Sequence, residues 1–558
     1  MPDTIITVNH GKKSKRLLVT GRTAEGKLFK LKYSTKDDNT IIIKNKVDSA
    51  MKLKVTVTPK EPLDNQKWYK TAQVAARIAM MVRNVSISYR NQYSMALPGF
   101  MPTIGDAFGQ KRGAGLLSPG LDFAFAFVDD SYIDKAKNNG WLLNNDSVAT
   151  PATTNSTEDL QIRMTLEPWK DVKIDLNASR TRTRARSMQY MYVGNPTTES
   201  GSFTMTTISL KSAFEGIGNA NNGYKSSIFE NFCQLLPQYQ QKVEAQYTNA
   251  TYPAGTNLAG KHFDAANGGV DPYSADVMVP AFLKAYTNMS GGALDIFPTL
   301  TRILPNWSIR YSGLGKLPWF EEVFKSFNIN HAYKSIYAVG AYNTYNTYQE
   351  FMNGLGFITN SVSGMPTPSS MYNVSTVSLN EAFSPLLGVD MTFQNNLTAK
   401  VEYRTTRSTI LSMTSVQINE ALSRDWVVGV AYKLNNFNLF GYGTHRKVKT
   451  KGKSNNEDNG YAASNNKKNG VNHALNMRLD ISYRRQAAIT RDIATIQSMA
   501  SSGNTAIKYS FIADYTLSKM LTMSFYYDRQ SNTPLLASNS YPTITQDFGL
   551  SIKFSLTR

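Results

Sequence analysis

The chain has 558 residues and a formal net charge of +20 at pH 7, and 41% of its residues are hydrophobic. It has no uninterrupted apolar run of about 18 residues, so the sequence predicts no transmembrane helix. Its single cysteine, Cys233, excludes an intrachain disulfide and lacks partners for a metal site.

Residues 1–65 form the first predicted segment. Short β-type runs at 5–8, 16–20, 28–33, 40–44 and 52–58 are separated by charged, turn-rich stretches, and this pattern predicts β-hairpins. The next segment, 66–210, opens with an Ala-rich stretch at 68–81 that has no proline or glycine. This composition predicts a short helix, after which longer strands begin.

Strict alternation of apolar and polar residues dominates the rest of the chain and predicts long β-strands. In 66–210, such strands begin at Val85, Leu121, Ile162 and Val172. In 304–441 and 471–558, further alternating runs begin at Trp307, Leu387, Leu397, Trp426, Leu475, Tyr509 and Leu521.

The last strand shows the pattern most clearly. Its apolar residues share one parity, and its polar residues, such as Asp547 and Lys553, share the other. The apolar set, predicted to face the membrane, is Phe548, Leu550, Ile552, Phe554 and Leu556. Outer-membrane β-barrels end on such strands, with the apolar face toward lipid and the polar face toward the lumen. A soluble sandwich can also hold an amphipathic strand.

The number, length and polar faces of the strands favour the barrel. Many runs are about ten residues long, against a usual five or six in soluble sheets. Their polar faces mix both charge signs, which a water-filled lumen tolerates. The candidate lumen-facing residues are Lys400, Glu402, Arg404, Arg478, Asp480 and Arg484. A β-solenoid would require a repeat period, and none is found. The predicted fold is therefore all-β: a transmembrane antiparallel β-barrel with short helical and loop insertions.

Three stretches interrupt the strands. Residues 211–303 form a predicted helical and loop insertion, with helix-like runs at 226–244 and 275–286, the second of which contains Pro280. Residues 317–326 predict another short helix. Residues 442–470 are polar, basic and low in complexity, which predicts a flexible loop.

Four arginines extend the apolar parity of one strand. Arg180, Arg182, Arg184 and Arg186 share parity with Val172, Ile174 and Leu176. One interpretation is a strand that leaves the hydrocarbon, so that its arginines contact lipid phosphates. The alternatives are a β-bulge that turns the arginines into the lumen, or a solvated ribbon.

The sequence offers no reactive site. The basic residues are not organised in a nucleic-acid-binding motif, so no nucleic-acid partner is expected. The G-K-S at 452–454 lacks the first glycine of a phosphate-binding loop. The five histidines have no metal-ligand spacing. We therefore predict no catalytic residue, metal or cofactor, and no enzyme activity.

Three sets of motifs follow one another through about residues 80–558. The first comprises R-N-V-S-I-S-Y, L-P-G-F-M-P and D-L-N-A-S-R-T, and the second D-V-M-V-P-A-F-L-K-A-Y, L-P-N-W-S-I-R-Y-S-G-L and N-I-N-H-A-Y-K-S. The third comprises N-H-A-L-N-M-R-L-D-I-S-Y-R-R, I-K-Y-S-F-I-A-D-Y-T-L-S and Y-Y-D-R-Q-S-N-T-P. With these motifs the chain resembles the SprA/Sov family, the outer-membrane translocon of the type IX secretion system of Bacteroidota.

The resemblance implies a function and a location. It implies a gated channel in the Gram-negative outer membrane that exports folded cargo with a type IX C-terminal signal and supports gliding motility. The implied partners are a PorV-type shuttle barrel and a periplasmic plug protein. Family members are longer and begin with a signal peptide, which residues 1–20 do not resemble. The chain is therefore expected to be a C-terminal portion, and its strands an arc of a very large barrel.

Two other functions remain open from the residues alone. One is a smaller stand-alone barrel such as a TonB-dependent transporter, although no plug domain or TonB-type box is recognised. The other is a soluble, β-rich surface adhesin.

Overall fold

The structure is a computed structural model that describes residues 5–44, 52–59, 71, 73, 80–103, 105–113, 116–125, 127–129, 131–143, 150–190, 197–287, 289, 296–352, 354–435, 437, 474–517, 520–536 and 541–555. Most of the predicted helix 68–81 and the whole basic loop 442–470 lie outside these residues. The chain divides into two compact units, Met1–Met81 and Val82–Arg558, so the first boundary falls later than the predicted residue 65.

The first unit consists of two small antiparallel sheets. Its strands are β1 (Ile5–Asn9), β2 (Leu17–Thr23), β3 (Leu28–Lys30), β4 (Tyr33–Thr35), β5 (Thr40–Lys44) and β6 (Leu53–Pro59). The sheet orders are β1-β5-β4 and β3-β2-β6, and Leu17, Val19, Ile41 and Ile43 form the core of the unit. The hairpin prediction is correct for β2–β3 and β4–β5. It misses the longer-range pairs β1–β5 and β2–β6, because turn residues specify only neighbouring strands.

The second unit is dominated by strands, which confirms the all-β prediction. They are β7 (Val82–Ala96), β8 (Lys111–Gly113), β9 (Leu116–Ser118), β10 (Ala152–Leu166), β11 (Val172–Met188), β12 (Thr198–Thr206), β13 (Asn306–Tyr311), β14 (Phe324–Thr344), β15 (Gln349–Met352), β16 (Leu355–Thr359), β17 (Pro366–Ser370), β18 (Tyr372–Val374), β19 (Thr376–Phe393), β20 (Leu397–Ser412), β21 (Gln417–Asn435), β22 (Ala474–Asp492), β23 (Gln497–Thr516), β24 (Leu521–Pro534) and β25 (Thr543–Phe554).

One 14-stranded antiparallel sheet organises this unit. Its path runs β25-β24-β23-β22-β21-β20-β19-β14-β12-β11-β10-β7, with β13 paired to β11 and β14, and β18 to β14. The path is open, since β7 and β25 end it and are not paired with each other in the described residues. Several strands are about twice the predicted length, and β14 has 21 residues.

Short helices occupy the connections. They are α1 (Leu121–Ala124), α2 (Tyr132–Asn138), α3 (Leu210–Ala213), α4 (Ser227–Glu244), α5 (Ala265–Gly268), α6 (Ala275–Tyr286) and α7 (Pro318–Glu321), with 3₁₀ turns at Ala220–Asn222, Ala245–Tyr247, Leu300–Arg302 and Gly313–Lys316. The predicted runs at 226–244 and 275–286 are confirmed as α4 and α6. The prediction at 317–326 is half right, because α7 ends at Glu321 and β14 begins at Phe324.

The predicted strand at 121–127 is wrong, because this stretch begins with the helix α1. Asp122 pairs with Lys135 of α2 at 2.5 Å, and the Phe123 ring lies 5.2 Å from the ring of Tyr132. The alternating residues are phenylalanine and alanine, and alanine is the strongest helix former. The alternation therefore did not require a strand.

The insertion leaves the sheet from its middle. β12 and β13 occupy the same position between β11 and β14, one beyond the other along the strands. The chain leaves the sheet at Thr206 and returns at Asn306. Where the strand is interrupted, both side chains accept hydrogen bonds from backbone N–H groups of the neighbouring strands. Thr206 Oγ1 accepts the Ser179 backbone N–H at 3.0 Å, and Asn306 Oδ1 accepts that of Ser335 at 2.8 Å. The insertion therefore packs on a face of the sheet rather than extending from its end.

Candidate functional site: the two faces of the large sheet

The large sheet has one apolar face, here called the band face. Directly paired residues continue it from strand to strand, as in Tyr509–Ile481–Val428 and then Val401–Val389–Ile329. The exposed large hydrophobic residues on this face are Val85, Ile87, Tyr89, Leu387, Trp426, Leu479, Tyr483, Tyr509, Phe525, Ile544, Phe548, Leu550, Ile552 and Phe554. Monomeric soluble proteins rarely expose a continuous apolar surface of this extent, so the band marks a contact with lipid or protein.

The final strand lies within this band. Phe548 is 74% exposed, and Leu550, Ile552 and Phe554 are each exposed by more than half, whereas Leu556 lies outside the described residues. From Ile544 to Phe554 the apolar positions cover roughly 33 Å along the strand at about 3.3 Å per residue. At a tilt of about 45° this corresponds to roughly 23 Å of height, close to the apolar height of an outer-membrane barrel.

Aromatic residues border the band. Tyr403 and Trp426 are paired across β20 and β21, with ring centroids 4.7 Å apart, and Tyr483 is paired with Trp426 on the other side. At the opposite ends of the strands, Trp169 in the β10–β11 turn and Trp319 in α7 are 74% and 66% exposed. Aromatic side chains at both borders of an apolar band are typical of membrane β-barrels.

The opposite face, the polar face, contains all six residues predicted to line a lumen. Lys400 and Asp480 lie on either side of Gly429 in register, and Arg404 and Arg484 on either side of Asp425. Charges are matched locally in the pairs Lys400–Glu402 at 2.6 Å, Arg404–Glu402, Arg478–Asp480 at 2.6 Å and Arg484–Asp425 at 3.0 Å. A Cβ at Gly429 would lie 2.8 Å from Asp480 Oδ1, so glycine leaves the space that this carboxylate uses.

The polar face is concave where it crosses β14 and β19–β23. A cavity of about 510 Å³ opens there. Small and polar side chains such as Asn380, Thr406, Ser423 and Gln486 contribute to its lining. Curvature toward the polar face is the direction required for that face to enclose a lumen.

The arginine ladder lies on the band face, beyond the apolar band. β10 and β11 are paired without a register shift along their length, so the predicted alternative of a β-bulge does not occur in these fully described strands. Glu158 lies 3.6 Å from Arg180 and 3.3 Å from Arg184, and Glu199 lies 3.9 Å from Arg182 and 3.5 Å from Arg186.

Two of these arginines also stack on aromatic rings, one on β12 and one in the insertion. The guanidinium of Arg180 lies 5.1 Å from the Phe203 ring centre, and that of Arg182 lies 4.6 Å from the Phe297 ring centre. The partners of the ladder in the structure are carboxylates and rings of the chain itself, and contact with lipid phosphates stays a prediction. The sequence could not show this, because Glu199 and Phe297 belong to other strands and loops.

The insertion covers the band face beyond the apolar band. Its core is built by α4, α6 and the strands beneath them, and includes Phe232, Phe282, Tyr286, Tyr337 and Val377. Buried polar contacts attach it to the sheet: Tyr286 donates to Glu420 Oε1 at 3.1 Å, and Arg491 donates to Glu420 Oε2 at 3.0 Å. Burial and the adjacent Glu420 carboxylate raise the pKa of Tyr286 well above its usual value, so the phenol remains protonated and donates.

Sequence reasoning missed these attachment residues, although a signal was present. Glu420 and Arg491 occupy the parity of Val428 and Ile481 on their strands, where an apolar residue is expected. A charged residue on the apolar parity indicates that the strand has left lipid and is covered by protein. The same signal marks Glu381 and Arg407, which are 4% and 5% exposed.

Three further observations concern membranes and reactivity. None of the helices in the described part of the chain is both long and apolar enough to cross a membrane. The described residues contain no group of three or more His, Cys, Asp or Glu that could hold a metal ion. Burial and the nearby Glu230 raise the pKa of the Cys233 thiol to about 11, which leaves little reactive thiolate at neutral pH.

No family model matches the chain, and no curated protein matches it. Among solved structures, the β domain of the Bordetella autotransporter BrkA is similar, with 7% identity, 73% of this chain and 92% of that chain covered, and a TM-score of 0.20. A superposition this loose carries no argument about function.

Proposed function

We propose that this chain forms part of the wall of a protein-conducting channel in the outer membrane of a Gram-negative bacterium. The observation that carries the proposal is the exposed apolar band, which continues in register across the sheet while the opposite face is polar and ion-paired. In a membrane barrel, lipid covers the apolar band and water solvates the charged face. A soluble adhesin would leave the band uncovered, which makes this alternative less favourable.

The open path of the sheet supports an arc of a large barrel rather than a small closed one. Nearly every residue of β7 and β25 is exposed, and each strand has one unpaired edge in the described residues. Backbone groups inside a bilayer must all be hydrogen-bonded. The proposal therefore requires further strands that pair with both edges. A stand-alone TonB-dependent barrel formed by this sheet would instead have to close by pairing β7 with β25.

The finer proposal is the type IX translocon, which rests on the resemblance to the SprA/Sov family. In that role the polar face lines the passage for folded cargo with a type IX C-terminal signal. A PorV-type shuttle barrel and a periplasmic plug protein are the partners. The chain supplies wall and lining rather than reactive groups, so no enzyme chemistry is part of the proposal.

Cysteine labelling tests the wall. Val428 faces the band and Ser482 faces the polar side on the neighbouring strand, so Val428→Cys and Ser482→Cys are matched probes. In outer-membrane vesicles, a membrane-impermeant maleimide is expected to label position 482 and not 428, and a lipid-soluble reagent is expected to label 428. Equal labelling of both positions by the impermeant reagent would contradict the proposal that these strands form a membrane wall.

Secretion tests the finer function. In the source organism, depletion of the protein is expected to trap a reporter carrying a type IX C-terminal signal in the periplasm. The same reporter without the signal is the control and should not change. Normal export of the reporter after depletion would reject the translocon function. If the cysteine labelling at positions 428 and 482 still gave the expected pattern, the proposal of a barrel wall would stand.

A further inference from the structure

The helix α6 is buried in every residue except one. Only Lys284 is exposed among Ala275–Tyr286, and the helix is otherwise apolar apart from Asp276. A helix that is apolar on all sides belongs in a core, so a lone exposed lysine on it is a specific exception. Lys284 is therefore the residue at which α6 reaches the surface.

A second lysine lies beside it. Lys211 of α3 donates to the Lys284 backbone carbonyl at 3.1 Å. Burial, and after it the charge of Lys284, lowers the pKa of Lys211. Neither lysine is ion-paired with any carboxylate in the described part of the chain. Two exposed lysines that meet in this way, and that have no counter-ion, favour an anionic ligand.

The position of the pair indicates which anion is available. α3 rests on Tyr333, Phe383 and Leu386, through Ala213 and Leu210. Leu386 is followed by Leu387, an exposed residue at the border of the apolar band. Beside the lysines, Phe214 is 64% exposed and lies 5.5 Å from Phe383, ring centre to ring centre. An exposed ring next to lysines at the border of an apolar band is the arrangement of a membrane interface.

We infer that Lys211 and Lys284 form a binding site for the phosphate of a membrane lipid, whose acyl chains lie along Phe214 and the band. The inference rests on the proposed wall, since only a bilayer on the band face brings lipid phosphates to this position. Phosphate offers several acceptor oxygens, so that two ammonium groups can share it.

The test is lipid retention measured by native mass spectrometry on the full native protein extracted in detergent. The probes are diphosphoryl lipid A, dephosphorylated lipid A and inorganic phosphate. The variant is Lys211→Gln/Lys284→Gln. The matched control is Lys225→Gln/Lys261→Gln, which removes the same charge from exposed lysines of the same insertion. Far-UV circular dichroism establishes that both variants are folded.

We expect the double variant to bind diphosphoryl lipid A at least tenfold more weakly, and the control to bind it as the wild type does. Dephosphorylated lipid A should bind weakly to all three proteins. Unchanged binding by the variant, or displacement of the lipid by millimolar inorganic phosphate alone, would overturn the site. The labelling of positions 428 and 482 reports on the wall separately, so failure of the lipid site and failure of the wall can be distinguished.

Discussion

Arg491 and Glu420 form a buried ion pair between neighbouring strands, with Nη2 and Oε2 3.0 Å apart and side chains 0% and 4% exposed. Arg491 also donates to the Tyr224 carbonyl at 2.5 Å and to Ser498 Oγ at 2.9 Å, while Glu420 accepts from Tyr286. The pair thus connects β21 and β22 to two separate parts of the insertion. It holds the insertion on the band face.

Replacing Arg491 by methionine should therefore loosen the insertion. The change leaves Glu420 buried without a counter-charge, which costs about 3–5 kcal/mol. The measurement is the free energy of unfolding from denaturant titration, together with the rate of proteolytic cleavage within the insertion. Arg478→Met is the control, because Arg478 is 65% exposed in its ion pair with Asp480 on the polar face, and such a pair should contribute no more than about 1 kcal/mol.

The double variant Arg491→Met/Glu420→Met separates the pair from its surroundings. Removing both charges avoids an unpaired buried ion, so it should recover much of the loss caused by Arg491→Met alone. A double variant that is as unstable as the single one would show that the Arg491 contacts to Tyr224 and Ser498, and not the ion pair, hold the insertion.

A charge placed on the band face should disturb membrane assembly. Val428→Arg puts a guanidinium in the row of Val401 and Ile481, at a cost of about 2–4 kcal/mol near the bilayer midplane. Ser482→Arg puts the same charge on the polar face, where water and carboxylates are available, and should cost little. The measurement is the fraction of protein recovered in the outer membrane. Equal recovery of the two variants would contradict the assignment of the faces.

The sequence predicted the band well but not the length of the strands. Alternation is visible only where one face meets an apolar environment, as from Val428 to Tyr432. Farther along the same strand, at Glu420 and Leu422, the face is covered by the insertion, and polar residues interrupt the pattern. The apolar half of each strand was therefore recognisable, and the covered half was not.

Long-range partners limited the prediction of sites in the same way. The parity of Arg180 to Arg186 was predicted correctly. Their contacts with Glu199 and Phe297 were not predicted, because no local pattern connects these residues to the arginines. The six lumen candidates could be predicted together because each alternates with apolar residues along its own strand. Lys211 and Lys284 are 73 positions apart, and only the packing of α3 against α6 brings them together.

The thiol of Cys233 should react slowly. Its pKa of about 11 follows from burial and from Glu230 on the same helix, so at pH 8 its thiolate fraction is about a hundredfold below that of an ordinary cysteine. Maleimide consumption by the native protein should be correspondingly slow, and should accelerate on unfolding. Fast labelling in the native state would contradict the packing of α4. Slow labelling makes the wild-type background suitable for single-cysteine probes.

Asp276 should make the stability of the insertion depend on pH. Its carboxyl is enclosed at the start of α6, where burial raises its pKa and hydrogen bonds from Ser370 and Ser369 oppose the shift. An acid with a higher pKa in the folded than in the unfolded state binds more protons when folded. Its contribution is therefore fully present below the unfolded pKa of about 3.9 and is lost as the pH rises through the folded pKa.

Asp276→Asn should remove this dependence, because the amide stays neutral while its oxygen can still accept from Ser370. The difference in unfolding free energy between the variant and the wild type should shift in favour of the variant as the pH rises from 4.5 to 7.5. Asp264→Asn is the control, since Asp264 is an exposed N-cap and asparagine caps equally well. A constant difference for Asp276→Asn across this range would show that the carboxylate is solvated, and that α6 is less enclosed than its packing against α4 requires.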